Sequence, residues 1–156
     1  AFGGSPAGFT FWATQFSEYS AYRCFGSKII LKIINMSDAS APMELVLIPR
    51  LQAAMGGTST GDLIEQPEAK GLILQAGRAG FPAPVILNYM STKKMDGVTN
   101  VRDISSMSSV TANNPTDQWF WGIQAEKMNA PAVQFDIKYQ VVIYYYTEFF
   151  TRRILA

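Results

Sequence analysis

The arrangement of the apolar residues constrains the fold more than any other feature of the sequence. They recur in short runs rich in β-branched and aromatic side chains, separated by clusters of Gly, Pro, Asn, Asp and Ser. Such runs are typical of strands and such separators of turns. In residues 28–35, for example, Ile29, Leu31 and Ile33 alternate with the residues between them. The pattern predicts strands over residues 28–35, 43–48, 71–75, 84–89 and 118–125.

The longest predicted strand, residues 133–150, is apolar on both faces over part of its length. Ile143 and Tyr145 share one face, while Val142 and Tyr144 lie on the other. A strand of this kind lies centrally in a sheet or at a subunit contact.

The spacing of the strands is irregular, and two long polar loops, residues 51–62 and 91–114, favour Greek-key connections. Residues 8–14 are a candidate for the first strand. We therefore expect one all-β domain over residues 1–156. It would be a single jelly roll, which is an eight-stranded antiparallel β-sandwich.

The composition predicts association between copies of the chain. Charged residues make up 16% and hydrophobic residues 48% of the sequence, whereas an average soluble chain has about 25% charged residues. No apolar run approaches the roughly 18 residues of a spanning helix, so we expect no membrane insertion. The excess apolar surface predicts a homo-oligomer in which other subunits cover it.

The residue inventory excludes most enzyme chemistry. The chain has no His and one Cys, Cys24, so Ser-His-Asp triads, Cys-His pairs and His-containing zinc sites cannot form within it. The acidic residues Asp62, Glu65 and Glu68 match no EF-hand spacing. We expect no enzymatic activity, no catalytic residue, no metal and no cofactor. A cupin-like enzyme would need an all-carboxylate metal site, which the spacing does not provide.

Aromatic clusters near the C-terminal end are candidates for core packing or for subunit contacts, because basic side chains are not interleaved among them and aromatic residues dominate interface hot spots. The alternative is base stacking, as in RNA-binding platforms. Two arginines follow the last strand and can meet a phosphate, a neighbour's carboxylate or solvent. The predicted interface residues are Trp119, Trp121, Tyr144, Tyr146, Arg152 and Arg153.

Several stretches of the sequence follow one another in a characteristic order. Residues 16–23 (FSEYSAYR) lead into residues 26–29 (GSKI) and Asn35, residues 89–94 (YMSTKK) precede Gly97, and residues 114–115 (NP) and 119–121 (WFW) precede residues 144–150 (YYYTEFF). In sequence and spacing these stretches resemble capsid proteins of circular single-stranded-DNA viruses, the circovirus-like group. The resemblance spans residues 16 to about 153.

The resemblance implies a jelly roll whose copies form the smallest icosahedral shell, with T=1 symmetry, around a circular single-stranded DNA genome. It also implies a location in the virion and, during assembly, in the host nucleus. A host-cell receptor would be a further partner, which the resemblance does not identify. Such a shell needs no catalysis.

The chain departs from the family in its charge. Family members usually begin with a strongly basic arm, whereas this chain has a net charge of +1. Because polyphosphate binding requires many neutralised charges, we expect a Lys/Arg-rich segment upstream of Ala1 that holds most of the DNA. Within the chain, Arg23, Lys28 and Lys32 are the candidates for contacts with genome phosphates.

The alternative function is a carbohydrate-binding jelly-roll module, in which Trp119 or Tyr144 would stack on sugar rings. Oligomeric state distinguishes the two hypotheses, because a binding module stays near its monomer mass of 17.2 kDa or forms a small oligomer, whereas a capsid protein forms particles.

Overall fold

The computed structural model describes residues 19–36, 42–52, 59–75, 83–110, 115–128 and 136–152. This part of the chain forms two antiparallel sheets, two short helices and two 3-10 turns. The strands are β1 (Tyr19–Asn35), β2 (Met43–Arg50), β3 (Lys70–Leu74), β4 (Val85–Ser91), β5 (Ser108–Val110), β6 (Phe120–Lys127) and β7 (Ile137–Arg152). The helices are α1 (Thr60–Ile64) and α2 (Thr92–Met95), and the 3-10 turns are Val101–Asp103 and Ser105–Met107.

Strand β1 is the centre of the first sheet, which we call sheet I. Strand β7 pairs with it along its whole length, from Tyr19 opposite Arg152 to Asn35 opposite Ile137. The other edge of β1 pairs with β5 and then with β4. An irregularity between Cys24 and Gly26 shifts the β1–β7 register, as a β-bulge does.

The second sheet, sheet II, has the order β3-β2-β6. Strand β2 continues through Pro49 to Arg50, where we had expected Pro49 to end it. Its pairing with β3 stops at Leu47, whereas its pairing with β6 continues to Arg50. Pro49 is therefore beside an unpaired edge, where the missing N–H of proline is tolerated.

The core lies between the two sheets and follows the predicted alternation. Ile29, Leu31 and Ile33 of β1 are fully buried and pack with alternate residues of β2. Trp121 and Ile123 of β6 and Val141 and Ile143 of β7 also pack into this core. Burial of large aliphatic side chains at about 25 cal/mol per Å² is the main stabilising contribution here.

A second, smaller cluster lies on the opposite side of sheet II, where α1 covers it. Leu63 of α1 is fully buried against Val46 and Ile48 of β2. Ser59 caps the helix by accepting a hydrogen bond from the Asp62 backbone N–H. The predicted loop, residues 51–62, includes the start of this helix, because a five-residue helix is too short to show apolar periodicity.

The all-β class with antiparallel sheets is confirmed. Each strand predicted from an apolar run corresponds to an observed strand, and β1, which begins at Tyr19, extends furthest beyond the predicted bounds. The tract 91–114 contains α2, both 3-10 turns and β5 in addition to loops. The candidate first strand, residues 8–14, and residues 133–135 of the last predicted strand lie outside the described residues.

Candidate nucleic-acid interface

The side of sheet I that faces away from the core is an open surface, which we call the sheet I outer face. The burial alternation of β1, β4 and β7 defines it. Its members are Arg23, Lys28, Ile30, Lys32 and Ile34 of β1, Val85, Leu87 and Tyr89 of β4, and Lys138, Gln140, Val142, Tyr144, Tyr146 and Glu148 of β7.

A lysine flanked by two tyrosines forms the centre of this face. Lys28 is opposite Tyr89 on β4 and opposite Tyr144 on β7. Its Nζ lies 5.9 Å from the centroid of the Tyr144 ring, within the range of a cation–π interaction. Both tyrosines are about half exposed, so their rings remain accessible beside the cation.

A third tyrosine extends the aromatic surface across a glycine. Tyr146 is opposite Gly26, and the rings of Tyr89 and Tyr146 meet edge to face with centroids 5.6 Å apart. A Cβ at Gly26 would lie 2.9 Å from both the Met90 carbonyl oxygen and the Tyr89 hydroxyl. Glycine is therefore required for Tyr89 to lie across β1 towards Tyr146.

An aliphatic row follows the tyrosines along the sheet. Leu87, Ile30 and Val142 occupy one row across β4, β1 and β7, and Leu87 and Val142 are exposed. The next row contains Val85 and Lys32, both exposed. Lysines therefore stand at both ends of an apolar strip.

The charges of this face are almost all positive. Arg23, Lys28, Lys32 and Lys138 are the cations that its strands contribute. The one acid among the strand residues of the face is Glu148, whose carboxylate accepts two hydrogen bonds from the guanidinium of Arg102, at 2.8 and 3.2 Å.

Arg23 is fixed at one end of the face. Its guanidinium lies 4.4 Å from the centroid of the Phe150 ring. Its Nε is buried and has no hydrogen-bond partner in the described part of the chain. Arg23 is thus held against the sheet, whereas Lys32 is exposed.

The outward side of sheet II has the opposite charge. Glu44 of β2 is directly opposite Glu126 of β6, and both carboxylates converge on Thr60 of α1. The Oε2 atoms of Glu44 and Glu126 lie 2.8 and 3.1 Å from Thr60 Oγ1, and the Thr60 backbone N–H donates to Glu126 at 3.2 Å. Arg50 is the only cation among the described strand residues that point outward on this sheet.

The Thr60 contact also sets the protonation of Glu126. The hydrogen bond from the Thr60 backbone N–H lowers the pKa of Glu126, because it stabilises the carboxylate. Burial and the nearby Asp62 oppose this effect, while Gln124 adds a further hydrogen bond to the carboxylate. Glu126 is therefore ionised at neutral pH, and the cluster is anionic.

The residues that we predicted for genome contacts lie on one surface. Arg23, Lys28 and Lys32 all lie on the sheet I outer face, together with the predicted interface residues Tyr144 and Tyr146. Their roles in DNA binding and in subunit contact stay predictions.

The two tryptophans predicted for subunit contacts lie inward. Trp121 is 2% exposed in the core, where its indole N–H donates to Ser27 Oγ at 3.1 Å. Trp119 is half-buried, stacks edge-on against Trp121 with centroids 5.3 Å apart and donates to Thr92 Oγ1 at 3.1 Å. The burial of Trp121 agrees with the core alternative for this ring, whereas a role of the half-buried Trp119 in subunit contact stays a prediction.

Of the two arginines predicted to follow the last strand, one lies within the described residues. Arg152 is the last residue of β7 and is opposite Tyr19. Arg153 lies outside the described residues.

Groups that could support catalysis or metal binding are sparse in the described part of the chain. It contains no group of three or more Cys, Asp and Glu residues placed to hold a metal ion. Burial raises the pKa of the Cys24 thiol, so this cysteine is protonated at neutral pH and is a poor nucleophile. Its Sγ donates to the Gly26 carbonyl oxygen at 3.1 Å, beside the bulge.

Comparison with known proteins adds no identification. No protein-family model matches the sequence, and no curated protein is significantly similar to it. In the ranges that the structure describes, no helix has the length and apolar character to cross a bilayer.

Sequence reasoning missed several members of the two outer surfaces. Tyr89 and Leu87 were assigned to a strand, but the alternation does not reveal that they join the face of Lys28, because cross-strand register is a long-range property. The convergence of Glu44 and Glu126 on Thr60 was missed for the same reason. Lys138 lies within the predicted strand 133–150, and its charge was the available signal.

Proposed function

We propose that this protein is a viral capsid protein, a jelly roll whose copies assemble into a small icosahedral shell with T=1 symmetry around a circular single-stranded DNA genome. Its place is then the virion and, during assembly, the nucleus of the host cell. The proposal combines the sequence resemblance with three structural features: strand order, charge distribution and exposed apolar surface.

The strand order agrees with the central part of a jelly roll. An eight-stranded jelly roll lettered B to I has the sheets B-I-D-G and C-H-E-F. When β1 to β4 are read as D to G, and β6 and β7 as H and I, sheet I contains the neighbours G-D-I and sheet II the neighbours F-E-H. Strands B and C would then pair with the remaining edges of β7 and β6, and β5 is an addition to the scheme.

The observation that carries the functional proposal is the separation of charge between the two outward sides of the sandwich. Arg23, Lys28 and Lys32 lie on one side, while Glu44 and Glu126 lie on the other. A shell wall that encloses a polyanion needs a basic inner side. The sheet I outer face meets this requirement although the whole chain is nearly neutral.

Exposed apolar residues at other edges of the sandwich supply surfaces for contacts between copies. Ile73, Leu51, Val110 and Met128 are each at least half exposed. Repetition of a few modest contacts by closed symmetry gives a stable assembly without a large patch on any one subunit.

The test is the state of assembly of the purified chain, with and without circular single-stranded DNA. Sedimentation velocity and negative-stain electron microscopy should show uniform closed particles far heavier than the 17.2 kDa monomer. A monomer or small oligomer at high protein concentration, in moderate salt and with DNA present, would contradict the proposal.

The second candidate is a carbohydrate-binding module of the same architecture, which the exposed rings of Tyr144 and Tyr146 favour. Against it, Gln140 is the one neutral amide among the residues of the sheet I outer face, whose other polar groups are mainly cations. Trp119, the other predicted sugar platform, already packs against Trp121. Binding to neutral polysaccharides by a monomer would favour this alternative.

A further inference from the structure

We propose that the sheet I outer face binds single-stranded nucleic acid through its bases, which stack on Tyr89, Tyr144 and Tyr146, while Lys28 and Lys32 contact the phosphates. This inference deepens the proposed capsid function, because it assigns the mode of recognition to particular side chains. It changes the role of the tyrosines from subunit contacts to base-stacking surfaces.

The positive charge of the face favours a polyanion as its partner. A second copy docked face to face would bring Lys28 and Lys32 against like charges, and the one acid among the described strand residues of the face, Glu148, is already bound by Arg102. Like charges placed together at an interface are unfavourable. A polyanion, in contrast, gains from each phosphate that is neutralised.

The exposed tyrosine rings favour binding of single-stranded nucleic acid over binding of a duplex. Tyr144 and Tyr146 are alternate residues of one strand, so their positions are about 6.8 Å apart. Bases in a duplex strand are about 3.4 Å apart and are paired, whereas a single strand can stretch to place successive bases on separate rings. Proteins that bind single strands without sequence preference combine aromatic stacking surfaces with a basic groove.

Contacts within sheet I hold the three tyrosine rings in place before nucleic acid binds. Tyr89 lies over Gly26 and contacts the edge of the Tyr146 ring, and Lys28 lies near the Tyr144 ring. The rings are mounted on paired strands of a four-stranded sheet, so less ordering is required on binding than in a loop.

The experiment measures binding of the full 156-residue chain to three fluorescent probes by anisotropy. They are a 20-nucleotide thymidine strand, an abasic strand of equal length and a 20-base-pair duplex. The double variant Tyr89→Ala/Tyr144→Ala removes two rings. Its matched control, Tyr89→Phe/Tyr144→Phe, keeps both rings and removes only the hydroxyls.

We expect the alanine variant to bind the thymidine strand at least about fivefold more weakly, since each stacked base contributes substantially to affinity. The phenylalanine variant should stay within twofold of the parent. The abasic strand should bind the parent and the alanine variant equally, and the duplex should bind the parent more weakly than the thymidine strand does.

The lysines are tested through the salt dependence. Lys28→Gln/Lys32→Gln should reduce the slope of log affinity against log salt by about 1.4, because each phosphate contact to a single strand contributes about 0.7. The control Lys93→Gln, at an exposed lysine of α2, should leave the slope unchanged. Thermal melting confirms that each variant is folded.

The outcomes separate this inference from the capsid proposal. Unchanged affinity for the thymidine strand in the alanine variant overturns the stacking role, whether or not particles form. Loss of particles in the alanine variant with DNA affinity intact also overturns it, since the face would then be a subunit contact. Ring-dependent DNA binding by a chain that never assembles supports the inference and rejects the shell.

Discussion

The two outward sides of the sandwich differ in charge and in whether a helix packs on them. The sheet I outer face is basic, aromatic and open, with Lys28 between Tyr89 and Tyr144. The corresponding side of sheet II is acidic, and α1 covers Val46 and Ile48 there. The difference indicates that the chain can bury outward apolar residues with a short helix, as it does for Val46 and Ile48 on sheet II, and does not do so for Leu87 and Val142 on sheet I. An open apolar face that could have been covered is a candidate for binding.

The covered and open sides should respond very differently to the loss of a leucine side chain. Leu63→Ala removes a fully buried side chain of α1 and should lower the free energy of unfolding by about 2–5 kcal/mol. Leu87→Ala on the open side, where the side chain is 47% exposed, should change it by no more than about 0.5 kcal/mol. Denaturant unfolding followed by tryptophan fluorescence measures both. Equal losses would contradict the distinction between the two sides.

On the open side, Gly26 lies where a Cβ atom would clash with its neighbours. Gly26→Ala places a methyl group 2.9 Å from the Met90 carbonyl oxygen and the Tyr89 hydroxyl, so it should cost about 1–3 kcal/mol of unfolding free energy and displace Tyr89. The control is Gly61→Ala in α1, where the nearest atom to the new Cβ is 3.8 Å away. The control should be neutral or slightly stabilising. Thermal unfolding of both variants provides the comparison.

Acid should weaken the attachment of α1 on the covered side. The folded-state pKa of Glu126 is lowered from its ordinary value of 4.5. Its stabilising effect is therefore fully present above pH 4.5 and is lost as the pH falls through the lowered value. An NMR titration of the Thr60 amide should show a transition below pH 4.5.

Two substitutions test the assignment of that titration. Glu126→Gln should remove the transition, because the amide side chain does not ionise. Glu65→Gln, at an exposed position next to α1, should preserve it. A Thr60 transition that persists unchanged in Glu126→Gln would show that another group holds α1.

The smallest effect should come from the ion pair between Arg102 and Glu148, the one acid among the described strand residues of the open side. Arg102 is exposed and Glu148 is partly exposed, so Arg102→Gln should change the unfolding free energy by less than about 1 kcal/mol. Because it leaves the Glu148 charge without its partner beside the basic residues, it should also weaken binding of the thymidine strand. Arg102→Lys keeps the charge and should bind more tightly than Arg102→Gln. Equal affinities for the two variants would show that Glu148 lies outside the binding surface.

Local periodicity predicted the inner faces of the strands, but not what lies beside them. The alternation of Ile29, Leu31 and Ile33 identified the core side of β1, because successive side chains of a strand point to opposite faces. That Lys28 lies between Tyr89 and Tyr144 depends on pairing between residues far apart in the sequence. Register of this kind is determined by the complete sheet.

Aromatic composition alone did not decide between core and subunit contact for the tryptophans. In strand β6, Trp121 and Ile123 are alternate residues and so lie on the same face. That face is the core, and the Ser27 hydroxyl accepts the indole hydrogen bond there. The net charge of +1 also did not predict the separation of charge, because it sums over the basic and acidic sides of the sandwich.

The most direct test of the account is lysine footprinting in assembled particles that contain single-stranded DNA. An amine-reactive reagent, with mass spectrometry of the peptides, measures the modification rates of Lys28 and Lys32 on the open side and of Lys93 on α2. The account predicts that particle formation with DNA protects Lys28 and Lys32 strongly and leaves Lys93 reactive. Particles in which Lys28 and Lys32 react as fast as in the free chain would contradict it.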